Sequence, residues 1–174
     1  ENFYGTDDIL LTEITQEITV YDPPTVSSDD IQGYYLTGEE RIFNVSMDNP
    51  DDGANYALLI FDYTLEGVTP ADITSFEYYA QDLNQWIDMG SRDYETYYDC
   101  TVGGVASICG QFGWAPGGFG PIAAGFENTS QFRINFANSF SAPLDFTLDL
   151  SGKLLEGDAD WTPLTTFTGS LEVF

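Results

Sequence analysis

Residues 57–65 read Ala57-Leu58-Leu59-Ile60-Phe61-Asp62-Tyr63-Thr64-Leu65. The odd positions, Ala57, Leu59, Phe61, Tyr63 and Leu65, form an unbroken apolar series. A pleated strand sends alternate side chains to opposite faces, so period two marks a strand with one face in a core. The segment at 144–150 repeats the pattern, with Leu144, Phe146, Leu148 and Leu150 separated by Asp145, Thr147 and Asp149. Phe132, Ile134 and Phe136 give a third strand, and Phe43, Val45 and Met47 a fourth over 42–47. Shorter strands are predicted at 75–79, 85–89, 96–102 and 105–112, with one more in 164–174. Thr69-Pro70-Ala71-Asp72-Ile73 reads as one helical turn, and no amphipathic helix of ten residues or more is present.

The N-terminal stretch holds the longest clean alternation. Over 10–20 the even positions are Leu10, Thr12, Ile14, Gln16, Ile18 and Val20, while Glu13, Thr15, Glu17 and Thr19 follow Leu11 at the odd ones. Tyr21-Asp22-Pro23-Pro24 stops it, because proline cannot donate to a ladder. About nine to ten strands, separated by Gly, Pro, Asn and Asp turns, read as an all-β antiparallel sandwich or barrel. The division expected is an N-terminal strand over 1–24 and a single β-sandwich domain over 25–174.

The 174 residues include 29 Asp or Glu, four Lys or Arg and no His, for a net charge of −25. Nucleic-acid affinity needs cations to neutralise phosphates, so a polyanionic partner is excluded. Catalytic triads and metal sites built on His are excluded with it. No stretch approaches the roughly 20 apolar residues of a membrane-spanning helix. Thirteen Phe, eleven Tyr and three Trp oppose disorder, since acidic disordered chains are poor in aromatics.

Cys100 and Cys109 flank Gly103-Gly104. Two strands meeting across that turn bring the sulfurs within disulfide reach, and the alternative is two free buried thiols. Asn44-Val45-Ser46 and Asn128-Thr129-Ser130 are glycosylation sequons. With the disulfide and a first residue other than Met, they lead to the expectation of an exported protein on the cell surface or beyond it.

Three groups of residues carry a resemblance. They are Gly38 to Ser46 with the following Asn49-Pro50 turn and the strand after it; Tyr78-Tyr79 with Trp86; and Gly110-Gln111-Phe112-Gly113 onward through Phe126 into Phe132–Phe136 and 144–150. Together, over roughly residues 38–152, they resemble secreted prokaryotic immunoglobulin-like domains of surface and filament proteins, including donor-strand pili and threads. The resemblance implies an immunoglobulin-like sandwich whose last two strands form a hairpin, and an extracellular setting. It carries no catalytic signature.

The strand bearing Leu10, Ile14, Ile18 and Val20 then has two readings. It pairs within its own domain, or it completes the sheet of the next subunit by donor-strand complementation. Asp48, Asp51 and Asp52 form half of a calcium-type loop, and Asp158 and Asp160 another half. Calcium is the one cofactor raised, with solvated surface charge as the alternative. Facing carboxylates repel by about 1 kcal/mol at 4 Å even in water, so salt or divalent cations are expected to stabilise the fold. Trp86, Trp114, Trp161, Tyr78, Tyr79, Tyr97 and Tyr98 are candidates for stacking glycans, against the reading that they fill the core. Lys153, the sole lysine, is expected as a solvated amine at a turn. The glycine-rich stretch 110–125 lacks the Gly-Lys-Ser/Thr ending of a phosphate loop. No carboxylate pair is marked out for glycoside hydrolysis, and no enzymatic activity is expected. The expected function is a structural subunit of an extracellular filament, tube or surface layer built as a homo-polymer. The alternative is a glycan-binding or adhesive surface module.

Overall fold

Alternation needs a second sheet to bury its apolar face, and the chain supplies one from its own strands. The computed structural model describes residues 20–89, 95–114, 121–156 and 160–174. The strands run β1 (Thr25–Ser27), β2 (Gly33–Tyr35), β3 (Arg41–Asp48), β4 (Tyr56–Glu66), β5 (Ile73–Ala80), β6 (Gln85–Asp88), β7 (Glu95–Val102), β8 (Val105–Trp114), β9 (Glu127–Phe136), β10 (Leu144–Leu154) and β11 (Thr162–Val173). Five form one sheet in the order β1-β3-β9-β5-β6, and six form the other in the order β2-β11-β10-β4-β8-β7. All pairings are antiparallel except β2 with β11. The fold is the expected immunoglobulin-like sandwich, and its last two strands do form a hairpin.

Period two sets the register. Leu59, Phe61, Tyr63 and Leu65 of β4 face inward beside Leu144, Phe146, Leu148 and Leu150 of β10 and Ile108 and Phe112 of β8. The facing sheet contributes Phe43, Val45, Met47, Phe76, Tyr78, Phe132, Ile134 and Phe136. Ring pairs tie the layers together: Phe112 and Phe132 lie 4.9 Å apart edge-to-face, and Tyr63 and Phe76 5.5 Å. Such pairs contribute about 0.5–1.5 kcal/mol beyond their burial. Burial pushes the Tyr63 hydroxyl far above the ordinary phenol pKa.

The predicted helical turn is a 3-10 turn at Pro70–Asp72. Its Thr69 backbone and hydroxyl both donate to Asp72 Oδ2, at 3.0 and 2.8 Å. The strand expected over 10–20 falls outside the described residues except at Val20. Two strands, β1 and β2, were not expected, and they build the side of the sandwich treated next.

Candidate functional site

The chain joins the sandwich along one open side. Val20 is 86% exposed and Tyr21 52%, while Pro24 is buried and its carbonyl accepts from Thr165 Oγ1 at 3.0 Å. β1 then pairs with the far end of β3 in the five-stranded sheet. A 3-10 turn at Asp29–Ile31 follows, and Gly33 (φ +118) adopts a backbone conformation closed to L side chains. The chain has now crossed to the six-stranded sheet, where β2 runs parallel to Leu171, Glu172 and Val173 of β11.

Arg41 clasps this crossing. Its Nη1 donates to the Tyr34 carbonyl at 2.6 Å, and its Nη2 to those of Asp30 and Gln32 at 3.4 Å. The guanidinium also lies 4.7 Å above the Tyr35 ring, itself 2% exposed with its hydroxyl on the Ile31 carbonyl. Ser28 Oγ donates to the Asn44 carbonyl, and Asn44 Nδ2 to Asp30 Oδ2, both at 2.6 Å. Behind the crossing lies a small wholly apolar cavity, ≈ 20 Å³, lined in part by Ile31, Tyr35 and Leu171.

β11 is only partly covered. Among the described residues, no strand pairs with its outer edge from Thr162 to Ser170, because β2 takes that position only from Leu171 onward. Phe167 points inward, directly opposite the fully buried Leu148, yet it is only partly buried. Every residue of β11 from Thr162 to Leu171 is uncharged.

A second feature stands on the outer face of the five-stranded sheet. Arg133 of β9 donates to Glu77 at 2.5 Å and to Glu40 at 3.1 Å, and its guanidinium lies 4.7 Å over the Trp86 ring. Trp86 meets Tyr79 edge-to-face at 5.3 Å, and the Tyr79 hydroxyl donates to Asn84. The Glu77 hydrogen bond holds the Arg133 charge more firmly than in a free guanidinium. Ile42, 53% exposed, sits directly opposite Arg133. The sequence reading overlooked Arg41 and Arg133. Their signal was scarcity: two of only four cations in a chain of charge −25.

The other predicted residues are dispersed. Cys100 and Cys109 are bonded, with Cα atoms 5.8 Å apart, diagonally across the β7–β8 hairpin whose turn is Gly103 (φ +57) and Gly104 (φ +88). Of the aromatic candidates, Tyr78 is a core residue, because its even position in β5 faces inward; Tyr97 packs against the core as well. Tyr98 is exposed on the edge strand β7, Trp161 is exposed ahead of β11, and the Trp114 side chain lies outside the described residues. Trp86 and Tyr79 adjoin.

Asp48, Asp51 and Asp52 are exposed around a turn organised by buried Asn49, whose Nδ2 donates to the carbonyls of Ala54 and Ala123. Asp48 stands opposite Glu127. Among the described residues no three of His, Cys, Asp or Glu are placed to hold a metal ion. Asp158 lies outside the described residues, and Asp160 is exposed. Asn44 and Asn128 lie within β3 and β9 and are half-buried, with Asn128 opposite Met47. Lys153 is not at a turn but within β10, opposite Leu58, because that strand continues past Leu150 through a bulge in its β11 pairing. Leu10, Ile14 and Ile18 lie outside the described residues. No helix among the described residues is long and apolar enough to cross a membrane.

No family model matches the chain, and no curated protein matches it. Solved structures do. AvmM, whose structure is described as catalysing macrocyclization in alchivemycin A biosynthesis, superposes with a TM-score of 0.63 over 87% of this chain and 89% of its own, at 14% identity. What the two share is a fold. A cohesin module from a Clostridium perfringens family 33 glycoside hydrolase aligns over 90% of this chain and 100% of its own, at 12% identity and a TM-score of 0.38. The collagen-binding domain of a Staphylococcus aureus adhesin aligns over 91% and 99%, at 6% identity and a TM-score of 0.40. Similarity at these last two scores carries no argument about activity or partner.

Proposed function

We propose that the chain is an extracellular structural module that works by non-covalent contact and assembles with copies of itself through its first strand. One observation carries the reading. Residues from Thr25 onward supply all eleven described strands and the core cluster of buried residues, and the sequence alternation over 10–20 comes on top of that set. An apolar face on such a strand must be buried somewhere, and the chain leaves the sandwich at a solvent-exposed Val20. The acidic surface keeps the free subunit soluble, and salt or calcium screens it when subunits meet.

The Trp86–Tyr79–Arg133 cluster favours a second reading, an adhesive or glycan-binding surface module. Trp, Tyr and Arg are the residue types that dominate binding hot spots, and here they are held rigid in advance. Negative-stain microscopy of the full-length chain and of an Ile14→Asp, Ile18→Asp double variant separates the two. The first reading expects filaments or oligomers that the double variant lacks. Monomers in both samples, together with glycan-array binding lost in Trp86→Ala, would replace it with the second.

A further inference from the structure

We infer that the acceptor for the first strand is the outer edge of β11 from Thr162 to Ser170, and that its occupant is residues 10–20 of a second copy of this chain. This rests on the self-assembly reading above and names the site it uses. Three observations lead to this edge. The first is geometric: the edge is unpaired among the described residues, and β2 continues its line at Leu171, so an added strand prolongs an existing sheet position. The second is packing: Phe167 faces the interior and is only partly covered, so an arriving apolar side chain has surface to bury.

The third is charge. The donor's polar face carries Glu13 and Glu17. Like charges side by side on neighbouring strands are destabilising. The other long edge, β7, sets Asp99 opposite the buried Ile108, on the side where the donor's apolar residues would have to lie, and the short edge β6 carries Asp88 on the solvent face, opposite Glu77. β11 offers Thr166, Thr168 and Ser170 on its solvent face and no charge before Glu172. In a chain with 29 acidic residues, this uncharged edge suits an acidic donor.

The occupant belongs to another copy because of how the chain leaves. Asp22 and Pro23 each precede a proline, which restricts them to extended backbone, and no turn lies between Val20 and Pro24. Pro24 sits at Thr165, near the start of β11, and β2 runs parallel to the end of that strand at Leu171–Val173. The described residues 20–24 therefore leave beyond the start of their own β11 and do not turn back along it. At about 3.3 Å per residue the stretch before Val20 reaches roughly 60 Å, ample to cross to a neighbour.

Hydrogen–deuterium exchange on the full-length chain, dilute and assembled in high salt, tests this. The expected result is that amides of Thr165 to Ser170 and of residues 10–20 exchange at least about tenfold more slowly in the assembled sample, with Glu95–Val102 unchanged. A mixture of a Thr19→Cys chain and a Thr168→Cys chain should then give a mixed disulfide dimer on oxidation. Assembly that protects residues 10–20 and β7 but leaves β11 unchanged overturns the β11 assignment while strand donation stands. Protection of β11 and residues 10–20 already present in dilute monomer overturns the second-copy occupant. No assembly, or assembly without protection of residues 10–20, removes the self-assembly reading and this inference with it.

Discussion

Replacing Arg41 with alanine isolates the contacts that hold the sheet-switching segment. The substitution removes one short charged hydrogen bond, to the Tyr34 carbonyl at 2.6 Å, two long ones at 3.4 Å, and the stacking on Tyr35 at 4.7 Å. A charge-assisted bond contributes about 1.5–3 kcal/mol and a solvent-accessible cation–π contact about 0.5–1 kcal/mol. Water reaches the vacated carbonyls, so the lower halves of these ranges apply, and the loss is about 2–3 kcal/mol. For a domain of this size that lowers Tm by about 5–10 °C. Circular dichroism melting reads the global effect. Hydrogen exchange reads the local one, since residues 28–35 should open before the aromatic core. Arg41→Lys keeps the charge but not the planar fork, and should fall between the two. A Tm within about 2 °C of wild type, with exchange over 28–35 unchanged, would show that the guanidinium does not hold this crossing.

Three other perturbations follow from the structure. Removing the disulfide as Cys100→Ser, Cys109→Ser frees a short loop and should cost about 2–3 kcal/mol by denaturant titration; an unchanged midpoint contradicts this. The Thr69 hydroxyl and backbone, with a smaller part from Asn138, hold the Asp72 carboxyl below the usual carboxylate range. A depressed carboxyl stabilises above its unfolded pKa and loses that contribution as pH falls through the folded value, so the advantage of wild type over Asp72→Ala should be full at neutral pH and shrink in acid below about pH 4. A gap that does not narrow in acid refutes the assignment. Asp62 and Asp149 stand directly opposite on β4 and β10, so Asp149→Asn should stabilise by about 0.2–1 kcal/mol in low salt, and added salt should erase the gain; destabilisation would show that Thr166 and Gln111 already neutralise the pair.

Long central strands were legible because their environment imposes strict alternation. The odd residues of 57–65 and the even residues of 144–150 lie on the inner faces of β4 and β10, where a one-residue slip would bury aspartate. The disulfide was legible because two glycines between the cysteines permit the positive-φ turn that aligns β7 with β8. β1 and β2 were not, since three residues are too few to show a period, and their positions depend on Arg41 reaching from another strand. Tyr78 was open to misassignment although the alternation at 75–79 already placed it with Phe76 on the inner face. The Trp86–Arg133 contact joins residues of β6 and β9, which lie on either side of β5, and no local pattern announces it.

Self-assembly as proposed depends on the donation of residues 10–20 to another copy. The most direct measurement is to delete residues 1–22 and follow assembly by sedimentation velocity and negative-stain microscopy at matched concentration and salt. The expected result is a folded monomer that forms no filaments under conditions in which the full chain does. Filaments appearing at the same rate without those residues would contradict it.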